Sequence, residues 1–273
     1  MGVLPELLRN GIMIIDTRIK EGSMEYVQLS VDDGIATVAI NRPKVNAINE
    51  QVVSELTDTF RELALDRQIK AVILTGKGSF FSFGFDIPGL MDYSKEEFHR
   101  FVVSFSDLVR CIFTYPKPVI AALNGHTVAG GCILAIACDR RVMVTGKAKI
   151  ALNELTIGAT IFTSIAEILK FTVGPRNARQ LLYSGKMNSA EEALALGLVD
   201  EVHSEEGFAD AALRSARDLA EKDGEAFGSV KNLLRKDALD IIGRDEGSSI
   251  SEFVDIWYSQ NTRDKLRKIE IRG

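Results

Sequence analysis

Two glycine turns in this sequence have residue types suited to holding a developing negative charge. In TVAGGCILAIAC (127–138), Gly130 and Gly131 stand directly before an apolar stretch of helical character. The first N–H groups of a helix have no partner inside it and carry a partial positive charge. Glycine at that point lets a ligand come close to the main chain. The turn therefore suits an anion, or an oxygen that becomes one during a reaction. Tight packing of the helix against a neighbour would explain the glycine pair equally well.

The second turn lies in GSFFSFGFDIPGL (78–90), where Phe80, Phe81, Phe83 and Phe85 crowd around Gly84. Gly84 is expected to take a positive φ and turn the next N–H, that of Phe85, toward a neighbouring cavity. Asp86 is placed to cap the turn that follows. The rings alone are also consistent with a small core under a long loop. Neither turn is a nucleotide fingerprint: GKGSFF (76–81) lacks the third glycine of a dinucleotide site and the Lys-Ser/Thr ending of a phosphate loop.

Other reactive residue types have ordinary explanations. Cys111, Cys132 and Cys138 lie in apolar surroundings without the spacing of a zinc site, and read as small buried hydrophobes of a reducing cytoplasm. His126 reads as a turn residue or pocket wall. Asp139 reads as a structural cap or pairing partner. The basic run Arg263 to Lys268 reads as a solvated helix face.

The elements that must position these residues alternate between strand and helix. Residues 25–31 and 35–41 flank Asp32-Asp33-Gly34, a hairpin signal. Asn49 can cap a helix to about Asp66, with Val52, Val53, Leu56, Phe60 and Leu63 on one face. Strands are expected at 71–75, 119–123, 140–144, 148–152 and 198–202, and a helix over roughly 94–113. Ser189 and Glu192 have capping-box spacing. Beyond about residue 160 the pattern is mostly helical. This order predicts a layered α/β core with a helical appendage. No short solenoid repeat is visible in the residues.

Composition narrows the function classes. The net charge of −5 argues against a general nucleic-acid binder. No apolar run approaches the roughly 20 residues of a membrane span, so no membrane partner is expected. At the N-terminus, residues 1–23 have neither the apolar core nor the cleavage site of a signal peptide. Met24 precedes the first convincing periodicity and is expected to be the native start.

Taken in order, INRPKVNAIN (40–49), AVILTGKGSFFSFGFDI (71–87), KPVIAALNGHTVAGGCILAIACDRRV (117–142), NELTIG (153–158) and GPRNARQLLYSGKMNSAEEALALGLVDEV (174–202) resemble the crotonase, or enoyl-CoA hydratase/isomerase, superfamily. The resemblance runs from about residue 25 onward. It implies an α/β fold of the crotonase type, a spiral ββα-type layered core over 24–200, with a C-terminal helical trimerisation region over 201–273. It also implies a homotrimer or hexamer and an acyl-CoA thioester substrate. Coenzyme A would be part of that substrate, and no separate cofactor is expected.

By the same resemblance, the N–H groups of Phe85 and Gly130 would form an oxyanion hole for the thioester carbonyl. The coenzyme A path would pass the backbone at Val45 and Ala47 and run along Phe83, Gly84, Asp86 and Ile87, beside Gly131 and Ile133. Lys268 or a neighbour would meet its phosphates. Hydratases of this family use two glutamates to hold a water; here the first of those positions is Ile133 and the second is Glu154. The single-glutamate pattern, with Asn153-Glu154, resembles the Δ3,Δ2-enoyl-CoA isomerases, in which Glu154 would carry the proton. Hydration, thioester hydrolysis or lyase chemistry on the same fold, and a catalytically silent acyl-CoA-binding protein, are the alternatives.

Overall fold

The structure is a computed structural model that describes residues 24–269, so the expectation for residues 1–23 lies outside the described residues. The hairpin forms as β1 (Val27–Asp32) and β2 (Ile35–Ile40), with Asp33 and Gly34 both at positive φ in the turn. Asn49 caps α1 (Glu50–Leu65) by accepting from the Val52 N–H, and the apolar face of α1 is buried. β3 (Ala71–Gly76), β5 (Val119–Leu123), β7 (Arg140–Val144) and β9 (Glu201–His203) complete a six-stranded sheet of order β1-β2-β3-β5-β7-β9. All its pairings are parallel except the hairpin.

Both faces of this sheet are covered, as a parallel sheet requires. Ile73, Ala71, Ile120 and Val142 face Phe208, Ala212 and Leu213 of α7 (Glu205–Ala220). Alternate residues Val72, Leu74, Ala121 and Met143 belong to the main core with α1 and α3 (Lys95–Phe113). Ser94 and Glu97 close a capping box at the start of α3, and Ser189 and Glu192 do the same for α6 (Ala190–Ala195).

A second, three-stranded parallel sheet has the order β4-β6-β8, from β4 (Phe80–Ser82), β6 (His126–Val128) and β8 (Ile150–Ala151). Each strand follows a strand of the large sheet: β3 feeds β4, β5 feeds β6 and β7 feeds β8. Helical segments then close each turn: α2 (Ile87–Leu90) with α3, then α4 (Gly130–Ala137), then a short 3-10 turn (Glu154–Ile157) with α5 (Thr163–Ser184). This is the ββα spiral that the resemblance implied. Its repeat escapes the sequence because the small-sheet strands are only two or three residues long.

Three expectations about elements need correction. The stretch 78–90 is not simply a loop: it contains β4 and α2, and Phe81 is fully buried in the core. The strand expected at 148–152 is confined to Ile150–Ala151, where Ile150 pairs with β6 on one side and with Asn188 on the other. The strand expected at 198–202 begins later, at Glu201. The Leu198 N–H bonds back to the Ala193 carbonyl, closing the end of α6 after Gly197 turns at positive φ.

The helical half packs back onto the core. α5 breaks at Gly174 (φ 74°) ahead of Pro175. The 34-residue α8 (Gly224–Trp257) then lies against α3 and α5, and α9 (Gln260–Leu266) follows it. Among the described residues, no helix is long and apolar enough to cross a membrane.

Candidate active site

The small sheet explains why residues far apart in sequence converge. Its strands are parallel and adjacent, with Ser82 beside Thr127 and Val128 beside Ala151. Their C-terminal ends therefore lie along one edge, about 5 Å apart from strand to strand. Gly84 and Phe85 follow β4, Ala129 and Gly130 follow β6, and Asn153 and Glu154 follow β8. Gly130 sits in the middle, with Phe85 and Glu154 on either side.

Main-chain bonding fixes the direction of the Phe85 N–H. Ile48 donates to the Gly84 carbonyl at 2.7 Å and accepts from the Asp86 N–H at 2.9 Å, forming a parallel bridge opposite Phe85. In such a bridge the N–H of the middle residue points away from its partner strand, which here means toward the end of β6. The Gly84 N–H is taken up by the Ser82 hydroxyl at 3.2 Å. Phe85 is thus left with its N–H undonated among the described residues.

Gly84 has φ 91°, the conformation expected of it, and packs against the start of α4. The residue ahead of that helix, Ala129, also has positive φ, 47° with ψ −117°, which is strained for any residue with a Cβ. This turn presents the Gly130 N–H at the first position of α4, where no intrahelical acceptor exists. The two donors named from the sequence are therefore brought together.

Glu154 is 7% exposed, and neither carboxylate oxygen has a hydrogen-bond partner among the described residues. Burial raises its pKa from the ordinary 4.5 to about 7, against a smaller opposing effect of its own backbone N–H. Among the described residues, no cation offsets the desolvation.

A cavity of about 240 Å³ joins these groups, lined by Phe85, Gly130, Ile133 and Glu154 at one part and by Phe162, Phe253 and Trp257 at another. Among the described residues, Glu154 is the one ionisable residue that lines it. Ile133, one turn into α4, is buried and apolar. Ile87 lines the cavity, as does Phe83, which is 43% exposed and packs edge-on against Phe80. The Phe85 ring turns onto Phe101 and Phe105 of α3, with centroids 4.9 and 4.8 Å away.

Other expected contact residues stand outside the cavity wall. The Val45 carbonyl accepts from the Phe83 N–H and the Ala47 carbonyl from Arg42, so both serve the frame around the Phe85 turn. Asp86 pairs with Arg42 at 2.6 Å and caps α2. Gly131 is a packing glycine, since a Cβ there would stand 2.4 Å from the Ser82 carbonyl oxygen. Lys268 is exposed, next to Ile269, which does line the cavity.

Cys132 and Cys138 are buried, with thiols pushed up by desolvation, Cys138 to about 12, and Cys111 is half-buried. His126 packs against Phe80 rather than in the cavity. Asp139 is a structural partner, bonded to Lys231, Arg235 and the Val119 N–H.

The residues that sequence reasoning missed are Phe162, Ile165, Phe253 and Trp257, which close the apolar part of the cavity. Ile165, Phe253 and Trp257 occupy ordinary core positions of helices and Phe162 is the residue that precedes α5, so only the packing of α5 and α8 together reveals the role.

A family model described as enoyl-CoA hydratase/isomerase matches residues 30–244. A Thermus thermophilus protein, whose given name of enoyl-CoA hydratase is itself provisional, is 33% identical over 227 residues, 82% of this chain and 88% of its own. A Syntrophomonas wolfei crotonyl-CoA hydratase is 36% identical over 180 residues, 65% of this chain and 69% of its own. The crystal structure of human mitochondrial delta3-delta2-enoyl-CoA isomerase is similar with a TM-score of 0.86 at 25% identity, over 89% of this chain and 96% of that one.

Proposed function

The chain belongs to the enoyl-CoA hydratase/isomerase family, and we propose that within it this protein is an isomerase that moves a 3-enoyl-CoA double bond to the 2-position. The observation that carries this reading is Glu154 as the one ionisable residue lining the cavity among the described residues, with apolar Ile133 in place of a second carboxylate.

The C2 proton of a 3-enoyl thioester lies between the carbonyl and the double bond. The Glu154 carboxylate takes that proton, and the C–H electron pair moves into the conjugated system. Negative charge then gathers on the thioester oxygen, where the Phe85 and Gly130 N–H groups donate to it. Such donors contribute about 3–4 kcal/mol each to lowering the barrier when they are aimed at the charge as it develops. Glu154, now neutral, returns the proton at C4, and the double bond rests between C2 and C3. A carboxyl group with pKa near neutrality suits both halves of this cycle, because it gives up and takes back a proton at similar cost.

Hydration is the second reading, favoured by the names of the Thermus and Syntrophomonas relatives. It needs a water held for addition across the double bond, and Ile133 has no polar atom to orient one. Glu154→Gln tests the assignment. The variant should bind acyl-CoA as the native protein does while its double-bond migration is lost. Full retained activity in that variant refutes the role of Glu154.

A further inference from the structure

The segment from Arg42 to Ile48 is tied to the Phe85 turn more densely than its place in the sequence suggests. Lys44 and Asn46 both have positive φ, 73° and 52°, so the chain doubles back after Pro43 and brings Ala47 beside Arg42. The Asn46 side chain holds that curl, accepting from the Arg42 N–H and donating to the Lys77 and Phe80 carbonyls at 3.0 and 2.8 Å. From there the Ser82 hydroxyl bonds the Asn46 carbonyl at 2.7 Å, and Val45 and Ile48 bond the main chain on either side of Gly84.

Arg42 spans this frame at its outer end. One guanidinium nitrogen donates to the Ala47 carbonyl at 3.3 Å, and the other to the Asp86 carboxylate at 2.6 Å. Ala47 immediately precedes Ile48, whose two backbone groups orient Phe85, and Asp86 immediately follows Phe85. The Arg42 and Asp86 side chains are only 20% and 15% exposed, so their charge-assisted bond is better shielded than a surface pair. A planar fork can serve two acceptors at once, whereas an ammonium group is a single compact charge.

We propose that Arg42 is a positioning residue for the oxyanion site, holding the Ile48 and Asp86 segments together so that the Phe85 N–H stays aimed at the Gly130 side. The proposal rests on the reading of Phe85 and Gly130 as the oxyanion pair. Arg42 does not line the cavity, so its effect passes through the backbone and not through contact with the reacting atoms.

The test compares the native protein with Arg42→Ala and Arg42→Lys in two assays. The first is steady-state turnover of a 3-enoyl-CoA. The second is the ultraviolet absorbance of bound acetoacetyl-CoA, whose enolate carries charge on the same thioester oxygen. The native protein should raise the enolate fraction on binding. Arg42→Ala should lower kcat by about ten- to a hundredfold, the range expected when a donor is misplaced by up to an ångström, with KM changed less than about threefold. It should lose most of the enolate signal as well. Arg42→Lys, which keeps the charge and guards against collapse of the alanine variant, should fall between the two in both assays.

A raised KM with native kcat and native enolate signal would mean that Arg42 touches the substrate directly, and overturns the positioning role. Native values in both assays overturn it too. If the native protein itself shows no enolate enrichment, the oxyanion reading fails first and takes this proposal with it.

Discussion

A Cβ built on Gly84 would stand 3.0 Å from the Gly130 nitrogen, from the Ala129 Cβ and from the Val128 carbonyl oxygen. The turn after β4 and the start of α4 therefore meet with no room for a side chain between them. Gly84 also has φ 91°, where alanine is strained. Gly84→Ala is expected to push the two turns apart and lower kcat by about a hundredfold or more, the cost of losing one oxyanion donor. At Gly130 a Cβ would meet side-chain ends instead, Phe85 Cδ1 at 3.2 Å and Ile48 Cδ1 at 3.3 Å. Gly130→Ala should therefore lose less activity than Gly84→Ala, and steady-state kinetics of the two variants checks the order.

Glu154 must be ionised to remove a proton, and burial places its pKa at about 7. The rate is expected to rise with pH through an inflection near that value and to level off above it. A pH profile of kcat checks this. An inflection near the ordinary carboxylate value of 4.5 would mean that bound substrate leaves Glu154 well solvated or paired.

The same burial has a stability consequence. The folded state holds the Glu154 proton up to about pH 7, whereas the unfolded chain releases it near 4.5. Between those values the folded state binds more protons, so stability falls as pH rises. The full penalty, about 3 kcal/mol at 1.36 kcal/mol per pKa unit, is present above pH 7 and absent below pH 4.5. Glu154→Gln has no such proton to lose. Urea denaturation at pH 5 and pH 8 should show the variant gaining on the native protein at the higher pH.

Asp139 accepts from Lys231 at 2.8 Å and Arg235 at 2.9 Å, and all three side chains are less than 10% exposed. This cluster fastens α8 to the end of α4. Burial already lowers the Lys231 pKa to about 8, although Asp139 opposes the shift. Asp139→Ala leaves two buried cations without their anion, a change expected to cost about 3–5 kcal/mol. The midpoint of chemical denaturation measures it.

How far the sequence revealed the site depended on whether the signal was local. Asn49 as a cap, Gly84 at positive φ and the free N–H groups near Phe85 and Gly130 follow from residue chemistry within a few positions. Glu154 did not stand out that way. A lone carboxylate after a short strand usually caps a turn or faces water, and only the ordered set of motifs singled it out. The bonds that Val45, Ala47 and Asp86 make to Phe83 and Arg42, which build the scaffold around the turn, had no signal in the sequence. The aromatic wall of Phe162, Phe253 and Trp257 was not legible. It depends on helices from distant parts of the chain meeting over Phe98, which stacks on Trp257 at 4.4 Å.

The most direct measurement incubates the native protein with a 3-enoyl-CoA and, separately, with a 2-enoyl-CoA in deuterated water, and identifies the products by mass spectrometry and nuclear magnetic resonance. A single proton-carrying carboxylate facing an apolar Ile133 predicts conversion of the 3-enoyl-CoA to the 2-enoyl isomer, with any deuterium at C2 or C4 and little hydroxyacyl-CoA. Hydroxyacyl-CoA as the main product from the 2-enoyl-CoA would contradict the isomerase assignment.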